Sequence, residues 1–202
     1  MVTEGLNRSQ KRIKRLFDLF FSFIGFALLL LPLLVLIGFS TISTKKFGLY
    51  TQLRIGFLGH AFVMYKIRTM VNGDDSQFIT LENDARITSV GRFLRKYKLD
   101  ELPQLWNVIR GDMSLVGPRP DVPGYADRLS GKDKIILTVK PGITGPATIK
   151  YKNEEALLAA QKNPIAYNDE VIWKDKIEIN KNYIKNWSLK GDIVCLFRTI
   201  FD

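Results

Sequence analysis

The feature that most constrains the fold is an uncharged apolar run over residues 19–39, near the N-terminus of a chain of 202 residues. A bilayer core of about 30 Å needs roughly 20 apolar residues in a straight helix. Pro32 lies inside the run, where a proline removes a backbone donor and kinks a helix. The sequence therefore predicts either a kinked membrane-spanning helix or a proline-broken helix that enters and leaves by the same face.

Basic residues flank both ends of this run, in residues 8–15 and at Lys45, Lys46 and Arg54. Cationic side chains mark the cytoplasmic side of a membrane segment. A simple span would place one cluster on the wrong side, so the charges favour the re-entrant helix. The chain then divides into a basic N-terminal segment, a re-entrant membrane helix and a cytosolic domain: residues 1–15, 16–43 and 44–202.

The composition narrows the possible partners and chemistries. A formal net charge of +10 indicates an anionic partner, such as nucleic acid, a membrane surface or a phosphorylated substrate. With Cys195 and His60 as the single cysteine and histidine, disulfide frameworks and cysteine-rich zinc sites are excluded. The apolar run is about twice as long as that of a signal peptide, and we expect it to be retained.

The remaining patterns predict a mostly helical α+β fold. Two strand-like runs around a glycine-bounded turn predict a small β-hairpin over residues 47–70. The spacing over residues 87–98 predicts a basic amphipathic helix, which we interpret as a membrane-surface helix or a phosphate-binding face. We further expect a loop at 71–83, a short helix at 102–109, a tight turn at 140–146, and helices at 154–162, 172–187 and 192–201.

Two adjacent carboxylates, Asp100 and Glu101, precede the short helix. Their structural interpretation is an N-cap and a first-turn acid favoured by the helix dipole. In a functional interpretation, one carboxylate attacks phosphorus as a nucleophile and its neighbour binds Mg²⁺, which prefers oxygen ligands and substrate phosphates. The candidate phosphate-binding cations are Lys66, Arg68, Arg95 and Arg119.

Arg119 differs from the other cations because Pro118 and Pro120 fix the backbone on both sides of it. A preorganised arginine loses less freedom on binding a ligand.

Five segments together resemble the bacterial sugar transferase family, the small monotopic phosphoglycosyltransferases. These segments are residues 12–18 (RIKRLFD), the proline-broken apolar run, and residues 65–70 (YKIRTM), 98–120 and 141–145 (PGITG). The resemblance covers nearly the whole chain from residue 12 onward. Compared with larger relatives, the sequence resembles a minimal catalytic unit without additional N-terminal membrane helices.

The resemblance implies transfer of a phosphosugar from a UDP-sugar to polyprenyl (undecaprenyl) phosphate, with release of UMP. It implies a nucleophilic Asp100 that forms a covalent phosphosugar intermediate, a Glu101 that binds Mg²⁺, and a re-entrant helix in the bacterial inner membrane, with the catalytic domain on the cytoplasmic face. Lys66 and Arg95 would support the acid pair and the phosphates. The expected substrate-binding residues are Arg68, Pro118, Arg119, Pro120 and Thr144, with the Pro-Arg-Pro segment at the nucleotide end.

Two other classes of function explain parts of the sequence. A non-catalytic membrane-anchored adaptor accounts for the apolar run and the basic faces, but it gives Pro118-Arg119-Pro120 no role beyond turn formation. A nucleic-acid-binding module is disfavoured because the basic residues crowd around the apolar run and the acid pair. Within the enzyme class, the transferred group is either a hexose phosphate or an N-acetylated amino-sugar phosphate.

Overall fold

A computed structural model describes residues 5–71 and 84–201 of the chain, which form many helices and two small sheets. The predicted mostly helical α+β class is confirmed. The loop expected at 71–83 lies outside the described residues, apart from Val71.

Helix α1, Arg8–Thr44, contains the whole apolar run in 37 residues. It begins with a capping box, in which the Gln10 backbone N–H donates to Asn7 Oδ1 and the Asn7 backbone N–H donates to Gln10 Oε1, each at 2.9 Å. Pro32 lies within the helix, and the basic residues of the expected N-terminal segment form its first turns from Arg8. Among the described residues, α1 alone is long and apolar enough to cross a membrane. The helix is continuous from Arg8 to Thr44, so Pro32 does not divide it into two helices.

The predicted β-hairpin is confirmed by strands β1, Leu49–Ile55, and β2, Ala61–Ile67. They pair antiparallel, with Leu49 opposite Ile67 and Ile55 opposite Ala61. A 3₁₀ turn at Phe57–Gly59 connects them.

The predicted basic helix is α2, Ser89–Lys96, whose Thr88 side chain caps the backbone N–H of Gly91 at 2.9 Å. A 3₁₀ turn at Leu99–Glu101 follows, and helix α3, Gln104–Arg110, comes next. The structural interpretation of Asp100 as an N-cap, one of the two that we consider, is wrong, because Pro103 occupies the N-cap position of α3 and Asp100 lies inside the 3₁₀ turn.

A second sheet pairs β3, Ser114–Val116, in parallel with β4, Gly142–Thr144. The tight turn expected over 140–146 is therefore partly wrong. Gly142 serves close backbone approach, since a Cβ atom there would lie 2.1 Å from the backbone nitrogen of Gly117.

Five further helices complete the described chain. The expected helices at 154–162, 172–187 and 192–201 are confirmed with shifted bounds. Two 3₁₀ segments, Ala126–Arg128 and Gly131–Thr138, precede β4. After β4 come α4 at Pro146–Lys150, α5 at Glu154–Ala159, α6 at Pro164–Tyr167, a π-helical turn at Asn168–Ile172, α7 at Trp173–Lys185 and α8 at Leu189–Phe201.

Helix α1 packs against the rest of the protein near both of its ends. Near its start, Lys14 Nζ contacts Asp192 Oδ2 of α8 at 2.6 Å. Near its end, Ser40 Oγ donates to the backbone oxygen of Arg68 at 2.5 Å. Between these contacts, Leu33 packs with Leu94 of α2 in one hydrophobic cluster. One side of α1 therefore lies along the domain over most of its length.

Candidate active site

Three segments that are distant in sequence bring the predicted acid pair and two of the predicted cations together. Lys66 lies near the end of β2, Asp100 and Glu101 lie in the 3₁₀ turn before α3, and Arg119 follows β3. We call these four residues the acid-pair cluster. The structure thus brings these four candidate residues together, while their roles in the reaction stay a prediction.

Glu101 is the centre of this cluster. Its Oε1 atom accepts a hydrogen bond from Arg119 Nη2 at 2.5 Å and lies 3.7 Å from Lys66 Nζ. Burial alone would raise the pKa of Glu101, but the charges of Arg119 and Lys66 outweigh it and lower the pKa to about 2. Glu101 is therefore ionised throughout the neutral range.

Asp100 differs from its neighbour because, within the described chain, no hydrogen bond or ion pair engages its carboxylate. Burial and the adjacent Glu101 charge raise the pKa of Asp100, against the lowering effect of Lys66, Arg95 and Arg119. A carboxylate in this position is available to a ligand and is surrounded by cations that attract phosphate.

The two cations of the cluster respond differently to burial. Burial lowers the pKa of Lys66 to about 8, although the Glu101 charge opposes the change. The Glu101 charge raises the pKa of Arg119 above its ordinary value, so Arg119 stays protonated. Lys66 is thus the member of the cluster that can lose its charge at mildly alkaline pH.

The backbone around Arg119 is fixed by hydrogen bonds to β4 and β1. The Gly117 N–H donates to the Thr144 oxygen at 2.8 Å, and the Gly142 N–H donates to the Pro118 oxygen at 2.8 Å. Arg54 Nη1 of β1 donates to the oxygen of Pro120 at 3.2 Å. These bonds add to the restraint of the two prolines, so Arg119 extends from a rigid segment.

Three expected site residues, Arg68, Arg95 and Thr144, make their contacts outside the acid-pair cluster. Arg95 pairs with Glu155 of α5, although its charge is close enough to lower the pKa of Asp100. The Arg68 guanidinium donates to the oxygen of Phe47 at 2.9 Å and lies over the ring of Tyr50. The structure therefore engages Arg68 beside the end of α1 rather than in the acid-pair cluster.

Thr144, which we expect to bind substrate, is buried and bonds to Thr199 of α8 through the two side-chain oxygens at 2.6 Å. Its side chain joins β4 to α8, while its backbone supports Gly117. The structure gives Thr144 a positioning contact rather than an exposed binding group.

Sequence reasoning missed two residues that shape the site. Asn107 is fully buried; its Oδ1 accepts from the backbone N–H of Tyr65 at 3.0 Å, and its Nδ2 donates to Val63 at 2.7 Å. It therefore joins α3 to the strand that contains Lys66. The pKa of Arg54 is lowered to about 10 by burial and the nearby Arg119 charge. The sequence identifies Arg54 as a basic residue that follows the apolar run, but nothing in the sequence places it beside Arg119.

The acid pair meets the requirements of one kind of metal site. In the described residues, no group of three or more His, Cys, Asp or Glu side chains could bind a metal ion. However, Mg²⁺ is usually bound by one or two carboxylates together with substrate phosphates and water. The unpaired Asp100 carboxylate and the adjacent Glu101 fit that donor set, whereas they would not suffice for a fully protein-bound ion.

The fold combines one helix that is long and apolar enough to cross a membrane with a cluster of two carboxylates, a lysine and an arginine. Comparison with protein families matches residues 9–202 to the bacterial sugar transferase family. The chain belongs to this family, as the motif resemblance indicates.

Individual relatives agree with the family assignment. The chain is 35% identical to the UDP-galactose-lipid carrier transferase of Erwinia amylovora and 34% identical to the undecaprenyl-phosphate galactose phosphotransferase of Salmonella typhimurium. Each alignment covers 95% of this chain but only 40% of the relative. The sugar transferase EpsL of Bacillus subtilis is 36% identical, with 93% of this chain and 85% of the relative covered.

Proposed function

We propose that this protein transfers a phosphosugar from a UDP-sugar to undecaprenyl phosphate at the cytoplasmic face of the bacterial inner membrane. The proposal rests mainly on the acid-pair cluster, in which the Asp100 carboxylate, unpaired among the described residues, lies near the Lys66 and Arg119 cations. The Salmonella typhimurium relative, named undecaprenyl-phosphate galactose phosphotransferase, supports the same reaction class.

The proposed reaction consists of two displacements at one phosphorus atom. An Asp100 oxygen attacks the phosphorus that bears the sugar, the bond to the bridging oxygen breaks, and UMP leaves. An oxygen of undecaprenyl phosphate then attacks the same phosphorus, and the bond to Asp100 breaks. The products are undecaprenyl diphosphosugar and UMP, and the carboxylate is regenerated.

The surrounding side chains perform the electrostatic work of both steps. Arg119 and Lys66 neutralise phosphate oxygens that would otherwise repel the anionic nucleophile. Glu101 orients Arg119 through their ion pair. Mg²⁺, bound through Glu101 with Asp100 adjacent, would supply further charge neutralisation on the diphosphate.

A membrane location is supported by apolar side chains that remain exposed on several helices. Phe93 and Tyr97 at α2 and Trp106 on α3 are about half exposed. Helix α8 has a matching set, with Ile193, Val194, Phe197, Ile200 and Phe201 all exposed. Such patches on a soluble surface indicate contact with a membrane or a partner. A long polyprenyl acceptor requires a site at the bilayer surface.

The contacts of α1 support re-entrance rather than a simple span. A spanning helix would separate Lys14 from Ser40 by a hydrocarbon core of about 30 Å. Both residues instead contact the same domain, and Leu33 in the apolar run packs against it as well. If α1 spanned the bilayer and kept these contacts, the charged domain would have to lie within the hydrocarbon core.

The test is the intact mass of the purified protein after incubation with Mg²⁺ and a UDP-sugar, without lipid acceptor. The donors are UDP-glucose, UDP-galactose and their N-acetylated amino-sugar counterparts. We expect a mass increase of one phosphosugar with release of UMP, and loss of the adduct when undecaprenyl phosphate is added. Asp100→Asn should form no adduct.

A matched control is Asp133→Asn, which removes a surface carboxylate paired with Lys181 and should leave adduct formation unchanged. Absence of UMP release with every donor, with and without acceptor, would contradict the proposal. Restoration of glycan synthesis in cells by Asp100→Asn would support the adaptor alternative instead.

A further inference from the structure

A second carboxylate close to Arg119 lacks a partner. Asp121 follows Pro120, and its backbone oxygen accepts from the N–H of Ile55 at 2.9 Å. Across residues 5–71 and 84–201, no hydrogen bond or ion pair engages its side chain. Asp121 is only partly buried and its oxygens are not among the buried unsatisfied atoms, so its carboxylate is accessible and free to accept from a hydrogen-bond donor on a ligand.

Asp121 and Arg119 line the same narrow cleft, whose walls are otherwise mostly apolar and include Ile55, Pro118, Leu137 and Val139. The space inside is about that of one water molecule. The cleft therefore admits a hydroxyl group rather than a whole sugar or base ring.

The charges around Asp121 determine what kind of ligand it can accept. Burial raises the pKa of Asp121 to about 6, although the charges of Lys176, Arg54 and Arg119 oppose the change. Glu154 adds a smaller effect in the same direction as burial. Asp121 is thus ionised at neutral pH, and an ionised carboxylate only accepts hydrogen bonds. It would repel phosphate and attract hydroxyl donors.

Arg119 and Asp121 together offer a phosphate-binding cation and a hydroxyl-binding anion on either side of Pro120. A sugar nucleotide has the complementary groups, because its diphosphate carries hydroxyl-bearing rings, the ribose and the sugar, at its two ends. We propose that Asp121 accepts hydrogen bonds from hydroxyl groups of the sugar-nucleotide donor and thereby contributes to donor specificity. The inference rests on the proposed function. The hydroxyl groups belong either to the ribose or to the transferred sugar, and the experiment distinguishes these sources.

The experiment measures donor binding by calorimetry to the full chain with Asp100→Asn, which prevents turnover. The ligands are UDP-glucose and UDP-galactose, their analogues lacking the ribose 2′- or 3′-hydroxyl, and analogues lacking single sugar hydroxyls. With Asp121 present, removal of the contacting hydroxyl should weaken binding by roughly 10- to 100-fold, as expected for a hydrogen bond to a charged group. The analogue affected identifies the ribose or the sugar.

Adding Asp121→Ala should weaken binding of the intact donor by a similar factor and abolish the discrimination against that analogue. Asp121→Asn, which keeps the side-chain shape, should give an intermediate result and guards against misfolding of the alanine variant. Asp127→Asn is the matched control, because Asp127 is an exposed carboxylate in the same loop that bonds to Gly124. It should leave the discrimination intact.

Equal weakening of the intact donors and of every hydroxyl-deleted analogue by Asp121→Ala, or retention of the full discrimination, would overturn this inference while leaving the proposed function standing. Absence of binding by every sugar nucleotide, with Asp121 intact, would overturn the proposed function and the inference with it.

Discussion

Two clusters of charged residues lie at least partly buried in this protein, and they differ in how completely their groups are paired. In the first, both oxygens of Asp192 are engaged, Oδ1 by the Tyr183 hydroxyl at 2.7 Å and Oδ2 by Lys14 at 2.6 Å and Trp187 at 3.1 Å. We call this set the Asp192 network. In the acid-pair cluster, one oxygen of Glu101 serves two cations and Asp100 has no partner among the described residues.

This difference indicates that the Asp192 network stabilises the fold and that the acid-pair cluster is the candidate reactive site. The Asp192 network connects α1, α7 and α8, and its pairing leaves the carboxylate little capacity for a ligand. The acid-pair cluster keeps the Asp100 carboxylate without a donor among the described residues, so this acceptor remains available to a ligand. Substitutions in the first should reduce stability, and substitutions in the second should reduce activity.

The largest effect is expected for Asp100→Asn. Loss of the nucleophile should reduce UMP release by at least about a thousandfold. Because burial raises the pKa of Asp100, the folded protein disfavours its charged form, and a neutral amide should leave the free energy of unfolding unchanged or higher. Initial rates and chemical denaturation in detergent measure the two quantities. A stability loss above about 1 kcal/mol would contradict the distinction.

Asp192→Ala should have the opposite profile. It leaves the Lys14 cation buried without its partner, so we expect a loss of about 3–5 kcal/mol in the free energy of unfolding. Donor affinity of the folded fraction, measured by calorimetry at low temperature, should stay within about twofold of the parent protein.

The control for that prediction is the double variant Lys14→Met with Asp192→Leu. Apolar replacement of both partners should recover the part of the loss that comes from the unpaired charge, whereas the part that comes from the Tyr183 and Trp187 donors, which bond to Asp192, should remain. If the double variant were as unstable as Asp192→Ala, shape rather than charge pairing would be the important property of the network.

Lys66 allows a titration of the acid-pair cluster. Its pKa is lowered to about 8 by burial, so the cation predominates below pH 8 and is lost as the pH rises. We expect kcat/KM to fall about tenfold for each pH unit above that value, because phosphate neutralisation is lost with the proton. Lys66→Arg should remove this alkaline decline, since arginine keeps its proton. A decline that persists unchanged in Lys66→Arg would assign it to another group.

The sequence predicts those parts of the fold that depend on local patterns. The hairpin, α2 and α8 follow from strand alternation, glycines and helical periodicity. The parallel pairing of β3 with β4 does not, because each strand has three residues and Gly142 has the local signature of a turn. Its strand geometry depends on the distant backbone of Gly117.

The candidate site shows the same limit. Asp100, Glu101 and Arg119 were predicted from one continuous segment, and Lys66 from a second motif. Asn107 and the Asp192 network were not predicted, because their partners are distant in sequence; Lys14 and Asp192 are 178 positions apart. Arg68 has the same residue type as Arg119, but the fold turns it toward Phe47. Residue type alone does not distinguish these two arginines.

The smallest expected effect concerns the contact between the site's supporting strand and α8. The Thr199 hydroxyl donates to the Cys195 oxygen at 2.8 Å, so the Thr144 hydroxyl must be the donor in the 2.6 Å bond between the two threonines. Thr199→Val removes the acceptor and leaves a buried donor unsatisfied, which should cost about 1–2 kcal/mol in the free energy of unfolding. Thr199→Ser keeps the hydroxyl and should retain most of that stability. The Thr144 backbone still bonds to Gly117 in either variant, so the KM for the donor should change less than about threefold. A larger change in Thr199→Val alone would show that α8 contributes to positioning Arg119.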